Sequence, residues 1–502
     1  MRTNEIARFN TKFIDSTCRS DLGYHSGPDT VMRTRALKQI PAGLALSALL
    51  LAPLLGVQST TRLPADSEIR QILVDRVDRY RQSVGIVVGV VEPGGRRVIT
   101  HGHLAANDSR PLNGDTVFEI GSITKVFTAL LLTDMVERGE VELTDPVAAH
   151  LPSTVKVPQR NGEQITLRDL AMHLSSLPRM PSNVEATDAS NPFADYSVDR
   201  LFAFLSGYEL PRDIGSRFEY SNIGGALLAH ALARRSGLDY AALLEARIAG
   251  PLGLRSTRVD MNPEMKSRLA VGHAYGLTPT PNWELGALAG AGALHSTAND
   301  LLTFLAAHLG YTKTPLAPAM GTMLRFRRSM GQGEVGLAWF SRVDDGVEII
   351  SHEGSTGGYR AFIGYDPKAR VGVVVLSNTG TGAGIYDIGI HLLNPSTPLL
   401  SADELKPPKV RTEIAVDMGL LDRYTGRYQF PSRQMARVTR EGDHLLLQGE
   451  GDVKIAFFAE SSRDFFAKIM DAQITFESDT QGNITGLLFH RSGAVQQVKR
   501  SD

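Results

Sequence analysis

Apolar positions change their period several times along this chain, and each change marks an element. Ile69, Ile72, Leu73 and Val77 recur at helical spacing with charged residues between them, which predicts a surface helix. Ser83 to Val91 is a nearly unbroken apolar run, the pattern of a buried strand, turned at Pro93-Gly94-Gly95 into a second strand through Arg97-Val98-Ile99-Thr100. After Phe118 the strand pattern gives way to a helical one: Val126, Phe127, Leu130, Leu131, Met135 and Val136 repeat until Gly139 supplies a stop. A helix-rich middle follows from about residue 142 to 310, broken by loops marked with Pro, Asn and Gly. Within it, Thr166 to Pro178 predicts a capped helix ending at the proline, and Tyr220-Ser221-Asn222 opens another through Ala226, Leu227, Leu228, Ala231 and Leu232. Strand patterns return at Gly336 to Phe340, at Val347 to Ile350 leading into Ser351-His352-Glu353-Gly354, at Ala361 to Tyr365, and at Val371 to Asn378.

These elements predict an α/β (α+β) fold: a mostly antiparallel sheet flanked by helices, built from the N-terminal hairpin and the later strands, with the helical middle inserted between its two halves. Composition turns to proline and charge over residues 394–416, which reads as a linker. Residues 417–502 then carry short strands separated by turn signals such as Glu441-Gly442-Asp443, the pattern of a small β-barrel or sandwich.

Ahead of the main domain, Arg33, Arg35 and Lys38 precede the apolar run of residues 40–57, and polarity returns at Gln58-Ser59-Thr60-Thr61. Residues 32–59 therefore read as a secretory signal, with an uncleaved membrane anchor as the competing reading. Because Met32 directly precedes the basic residues, residues 1–31 read as a mis-assigned extension. Either reading of the leader expects an exported protein, periplasmic or extracellular.

Composition narrows the function classes. With 42% apolar residues in 502, the chain can build one large catalytic core and a smaller companion. A formal net charge of -1, without a basic stripe interleaved with aromatics, gives no support to nucleic-acid binding. One cysteine, Cys18, excludes an intrachain disulfide framework and a Cys-based metal site. No His-x-x-x-His occurs, and the one Glu-x-x-His, Glu441 to His444, spans a predicted turn, so no metal or other cofactor is expected.

Three short stretches carry candidate chemistry. Ser122 and Lys125 lie three residues apart at a strand-to-helix junction, so they share a helix face and an amine can reach the hydroxyl. A lysine with a lowered pKa can then take the serine proton. The spacing alone is cheap: Ser153 and Lys156 repeat it in a loop, and on context alone Ser122 is as readily an ordinary helix serine as a nucleophile. Tyr220 and Asn222 form the one Tyr-x-Asn in the chain, able to relay a proton and to hold a carbonyl, although a lone tyrosine of this kind is more simply a half-buried structural residue. His352 and Gly354, followed by Ser355, place a histidine beside backbone that a ligand can approach closely. His-x-Gly is also weak alone, since His25 and His308 match it.

Together and in order, these motifs resemble the serine β-lactamase and penicillin-binding protein superfamily, in the branch of class C β-lactamases, D-alanyl-D-alanine carboxypeptidases, D-aminopeptidases and esterases. The resemblance covers residues 66–393, with support from Asp115 to Phe118, Leu170 to Pro178 and Gly290 to Leu301. The C-terminal part resembles a lipocalin-like accessory domain. The resemblance implies Ser122 as acylated nucleophile, Lys125 as its base and Tyr220 as proton carrier to the leaving group. It further implies Asn222 on the substrate amide, an oxyanion hole from the N–H groups of Ser122 and Ser355, and a substrate contact from His352 and Gly354. His352 departs from the lysine of class C β-lactamases, and a histidine's charge near neutral pH is conditional. Glu353 adds a negative charge beside the expected carboxylate site. The implied function is acyl-enzyme hydrolysis of small-molecule or peptide substrates, foremost D-amino-acid cell-wall peptides, with β-lactam binding or turnover. The alternatives are a small-molecule esterase or amidase, and a non-catalytic penicillin-binding scaffold.

Overall fold

The computed structural model describes residues 63–501 apart from 189, 275, 382, 406–410, 450–453, 469–471 and 492–493. The expected extension (1–31) and the leader or anchor with its apolar run (40–57) lie outside the described residues. Among the described residues no helix is long and apolar enough to cross a membrane.

The centre of the main domain is one nine-stranded antiparallel sheet. Strand Gly85–Glu92 pairs on one side with Gly95–Ala105 and on the other with Val371–Ser377, which continues through Arg360–Asp366 to Val347–Ser355 and Phe340–Asp344. The first and last segments of the domain therefore lie side by side, with the helical middle inserted between them. The near-continuous apolar runs follow from burial on both faces. Ile86, Val88, Val90, Val373 and Val375 pack under the helices Asp66–Val74 and Tyr386–Leu393. Val87, Val91, Val374 and Leu376 pack on the opposite core with Phe127, Leu130, Leu302 and Leu305. Arg76, in the π-helical turn Asp75–Arg79 that continues the first of these helices, forms a buried ion pair with Asp387 of the second.

The segment Gly336 to Trp339, expected as strand, is a tight turn instead. Ala338 has φ +62, Gly336 N–H donates to the Trp339 carbonyl at 2.7 Å, and Trp339 is buried in the core. The strand begins only at Phe340. The expected turn at Asp344-Asp345-Gly346 is present, with positive φ at Asp345 and Gly346, the geometry that suits a right-handed hairpin.

A second departure matters more for the site. The Thr166 cap is closed by Asp169 as expected, but the helix runs only Leu167–Ala171 and does not reach Pro178. His173 takes φ +58 and Ser176 φ +62, left-handed conformations that end a helix. Residues 172–179 become a loop.

The C-terminal strands close into an eight-stranded barrel from Gly426–Gln429 to Ala494–Arg500. Its interior is filled by Tyr428, Leu445, Phe457, Phe465, Ile474 and Leu487.

Candidate active site

Ser122 lies in a single 3-10 turn, Gly121–Ile123, that leads into the serine helix Thr124–Glu137. This helix is buried on every side, because it threads between the sheet and the other helices. The turn is held by Thr124, whose hydroxyl donates to the Gly121 carbonyl at 2.7 Å and accepts from Leu294 N–H at 3.1 Å. The end of strand Val347–Ser355 lies directly on it. A Cβ at Gly121, where φ is +48, would stand 2.6 Å from the Ser355 nitrogen, and one at Gly354 would overlap the Ile120 carbonyl oxygen. Glycine at both positions is what lets the two backbones meet.

Lys125 follows one helical turn on. Its Nζ is 3.1 Å from Ser122 Oγ, 2.8 Å from Asn222 Oδ1 and 2.7 Å from the Ala291 carbonyl oxygen. Burial, and then repulsion from Arg179, hold its pKa well below the ordinary lysine value. A neutral amine has two N–H groups and one lone pair. Asn222 Oδ1 and the Ala291 carbonyl can accept only those two N–H groups, so the lone pair is left for the serine hydroxyl.

Tyr220 stands before the tyrosine helix Asn222–Ser236, which Ser221 caps by accepting from Gly224 N–H. The loop after Ala171 fixes this entry with four hydrogen bonds. The His173 carbonyl accepts from Glu219 N–H at 2.9 Å, and His173 Nδ1 accepts from Ser221 N–H at 3.2 Å. The Pro178 carbonyl accepts from Ser221 Oγ at 2.7 Å, and the Arg179 carbonyl accepts from Asn222 N–H at 2.9 Å. The His173 ring also packs on Tyr220, with centroids 4.4 Å apart. Lys125 Nζ and Arg179 Cζ lie 4.8 and 5.0 Å from the centre of the Tyr220 ring. Burial pushes the phenol up to about 12, against the pull of Arg179 and a hydrogen bond with Ser122.

His352 faces the same space, 6.4 Å from Tyr220 and 5.1 Å from Phe340 between ring centres. It is 2% exposed, and its Nδ1 lies 2.6 Å from the Glu353 carbonyl oxygen, so Nδ1 carries the proton and Nε2 is an acceptor. Burial, with Lys125 nearby, pushes its pKa down to about 3. The imidazole is therefore uncharged at neutral pH. Glu353, next in a strand whose side chains alternate, is instead under the influence of Arg360, and burial raises its carboxyl to about 7. Arg360 donates to Ser355 Oγ and to the carbonyls of Thr356, Tyr359, Gly380 and Thr381.

The pattern of the Beta-lactamase family matches residues 69–392, about two thirds of the chain. The chain belongs to the Beta-lactamase family. A domain of unknown function, DUF3471, matches residues 411–500. Over 356 residues the chain is 30% identical to the D-alanyl-D-alanine-carboxypeptidase/endopeptidase AmpH of Escherichia coli K12, covering 66% of this chain and 90% of that protein. It is 27% identical over 455 residues to penicillin-binding protein 4* of Bacillus subtilis, covering 86% of this chain and 98% of that one. A class C β-lactamase of Rhodobacter sphaeroides superposes with a TM-score of 0.56 at 28% identity, covering 62% of this chain and 94% of that structure. This family member is thus a serine hydrolase of the β-lactamase and penicillin-binding protein superfamily with a C-terminal barrel.

The tertiary structure brings all seven sequence-selected residues to one place: Ser122, Lys125 and Asn222 by hydrogen bonds, Tyr220 and His352 by ring contacts, Gly354 and Ser355 by backbone against the serine turn. It adds His173, Arg179, the Ala291 carbonyl and Arg360. The stretches containing His173 and Ala291 were recognisable as supporting motifs. Arg179 directly follows such a stretch, but nothing in its spacing announces a role.

Proposed function

We propose that this family member is an exported peptidase cleaving D-amino-acid cell-wall peptides through an acyl-enzyme on Ser122. The observation that carries this reading is the arrangement around Lys125, whose two N–H groups are taken up by Asn222 and Ala291 and whose lone pair is left for Ser122. In this mechanism Ser122 Oγ attacks the substrate carbonyl while its proton passes to Lys125. The N–H groups of Ser122 and Ser355 hold the oxyanion, an interaction worth about 100- to 1000-fold in rate for each donor. Tyr220 then passes a proton to the departing amine, and Asn222 and Gly354 line the acyl side. Water, activated by the same Lys125 and Tyr220 pair, hydrolyses the ester and returns Ser122. The choice of D-amino-acid peptides is supported by the 30% identity to a D-alanyl-D-alanine carboxypeptidase/endopeptidase, and export by the leader pattern of residues 32–59.

A second reading, a small-molecule esterase, draws on the uncharged and buried His352, which offers a substrate no cation. Intact-protein mass spectrometry after exposure to a penicillin and to a fluorophosphonate, on wild type and Ser122→Ala, tests the nucleophile. Turnover of a D-Ala-D-Ala peptide beside a p-nitrophenyl ester then separates the readings. A penicillin adduct lost in the variant, with peptide release, is expected; labelling by the fluorophosphonate alone, with ester turnover only, selects the esterase.

A further inference from the structure

The site requires a cation if it is to hold a carboxylate, and position 352 does not supply one. Lys125 is buried, and Ser122, Asn222 and Ala291 already occupy the hydrogen-bonding positions around its Nζ. The Arg360 guanidinium is spent on Ser355 Oγ and four carbonyls. Arg179 is different. Its side chain is exposed, lies 5.0 Å over the Tyr220 ring, and has no carboxylate within ion-pair distance among the described residues. Its main chain is not free to drift, because its carbonyl accepts from Asn222 N–H at 2.9 Å. A pinned backbone carrying an exposed guanidinium beside Tyr220, with no ion-pair partner among the described residues, is suited to a planar anion.

We propose that Arg179 binds a free carboxylate on the leaving half of the substrate. The side is set by Tyr220: the group that protonates the departing amine faces the leaving half, and Arg179 sits on that same ring. This rests on the acyl-enzyme reading above and deepens it, since a free carboxylate α to the leaving amine is what a terminal D-alanine presents, whereas a bond inside a linear peptide has an amide there. A penicillin presents the same relation, a carboxylate next to its leaving nitrogen.

The test compares two peptides with one acyl half, ending in D-Ala-D-Ala or in D-Ala-D-alaninamide, on wild type, Arg179→Gln and Arg179→Lys. Wild type is expected to prefer the carboxylate in kcat/KM by about 10-fold or more, Arg179→Gln to lose that preference, and Arg179→Lys to keep part of it. A preference that survives in Arg179→Gln, a parallel fall on both peptides, or a wild type without preference overturns the assignment. If neither peptide is cleaved, the peptidase reading fails by itself, and the acylation rates of Ser122 by a penicillin and its methyl ester decide the role of Arg179 by the same criterion.

Discussion

Lys125 Nζ is 3.1 Å from Ser122 Oγ while Asn222 and Ala291 take up its other hydrogen-bonding capacity. Only the uncharged amine has a lone pair to offer, and burial with Arg179 nearby lowers its pKa well below the ordinary value. Acylation is therefore expected to be lost as pH falls through the lowered lysine pKa and to be sustained above it. Lys125→Ala should reduce the acylation rate by about 100- to 10,000-fold. Stopped-flow acylation by a chromogenic β-lactam from pH 5 to 9 measures both.

His173 holds Tyr220 from two sides, its carbonyl on Glu219 and its Nδ1 on Ser221. Replacement by alanine removes the ring and the Nδ1 acceptor at a left-handed position. His173→Ala should lower kcat by about 10-fold or more with a smaller change in KM, as expected for a misplaced proton carrier. Asparagine tolerates left-handed φ and offers an acceptor, so His173→Asn should recover part of kcat. Equal losses in the two variants would argue that ring packing alone matters.

Glu353 gives a pH dependence of stability. Its folded pKa is raised from 4.5 to about 7, so the folded state holds the proton that the unfolded state releases earlier. Stability should fall as pH rises from about 4.5 to about 7 and level off above, the sign opposite to that of a paired carboxylate. Because the side chain is only half-buried, the fall is expected to be about 1 kcal/mol. Urea midpoints at pH 5 and pH 8 should differ in wild type and converge in Glu353→Gln.

On the far face of the sheet, Arg76 and Asp387 are 2% and 5% exposed, and Asp387 also accepts from Leu400 N–H at 2.9 Å. Asp387→Ala leaves a buried guanidinium without its carboxylate, which should cost about 3–5 kcal/mol. Chemical denaturation measures it. Turnover well below the unfolding midpoint should change little, since the Ser122 cleft lies across the sheet.

The order of strands and helices was legible in the apolar periods because burial on both faces of the sheet demands unbroken runs such as Ile86 to Val91. The turn at Gly336 to Trp339 was not, because an apolar segment of that length is equally compatible with a strand, and Ala338 takes a left-handed conformation that its side chain does not announce. The same applies to His173, where a helical pattern continues past the point at which the backbone leaves the helix.

The sequence by itself determined the local chemistry: a serine and a lysine three apart at a helix start, a Tyr-x-Asn at another, and glycine where two backbones meet. These are properties of short segments, set by helical geometry and by the absence of a Cβ. Tertiary structure alone decided the charges. Lys125 and His352 carry ordinary side chains in the sequence, and only their burial against each other's surroundings lowers the lysine pKa and keeps the imidazole uncharged. Arg179 stays exposed over Tyr220 because a loop, where a helix was expected, carries it there. Desolvation and proximity depend on which distant segments pack together, and no local pattern encodes them.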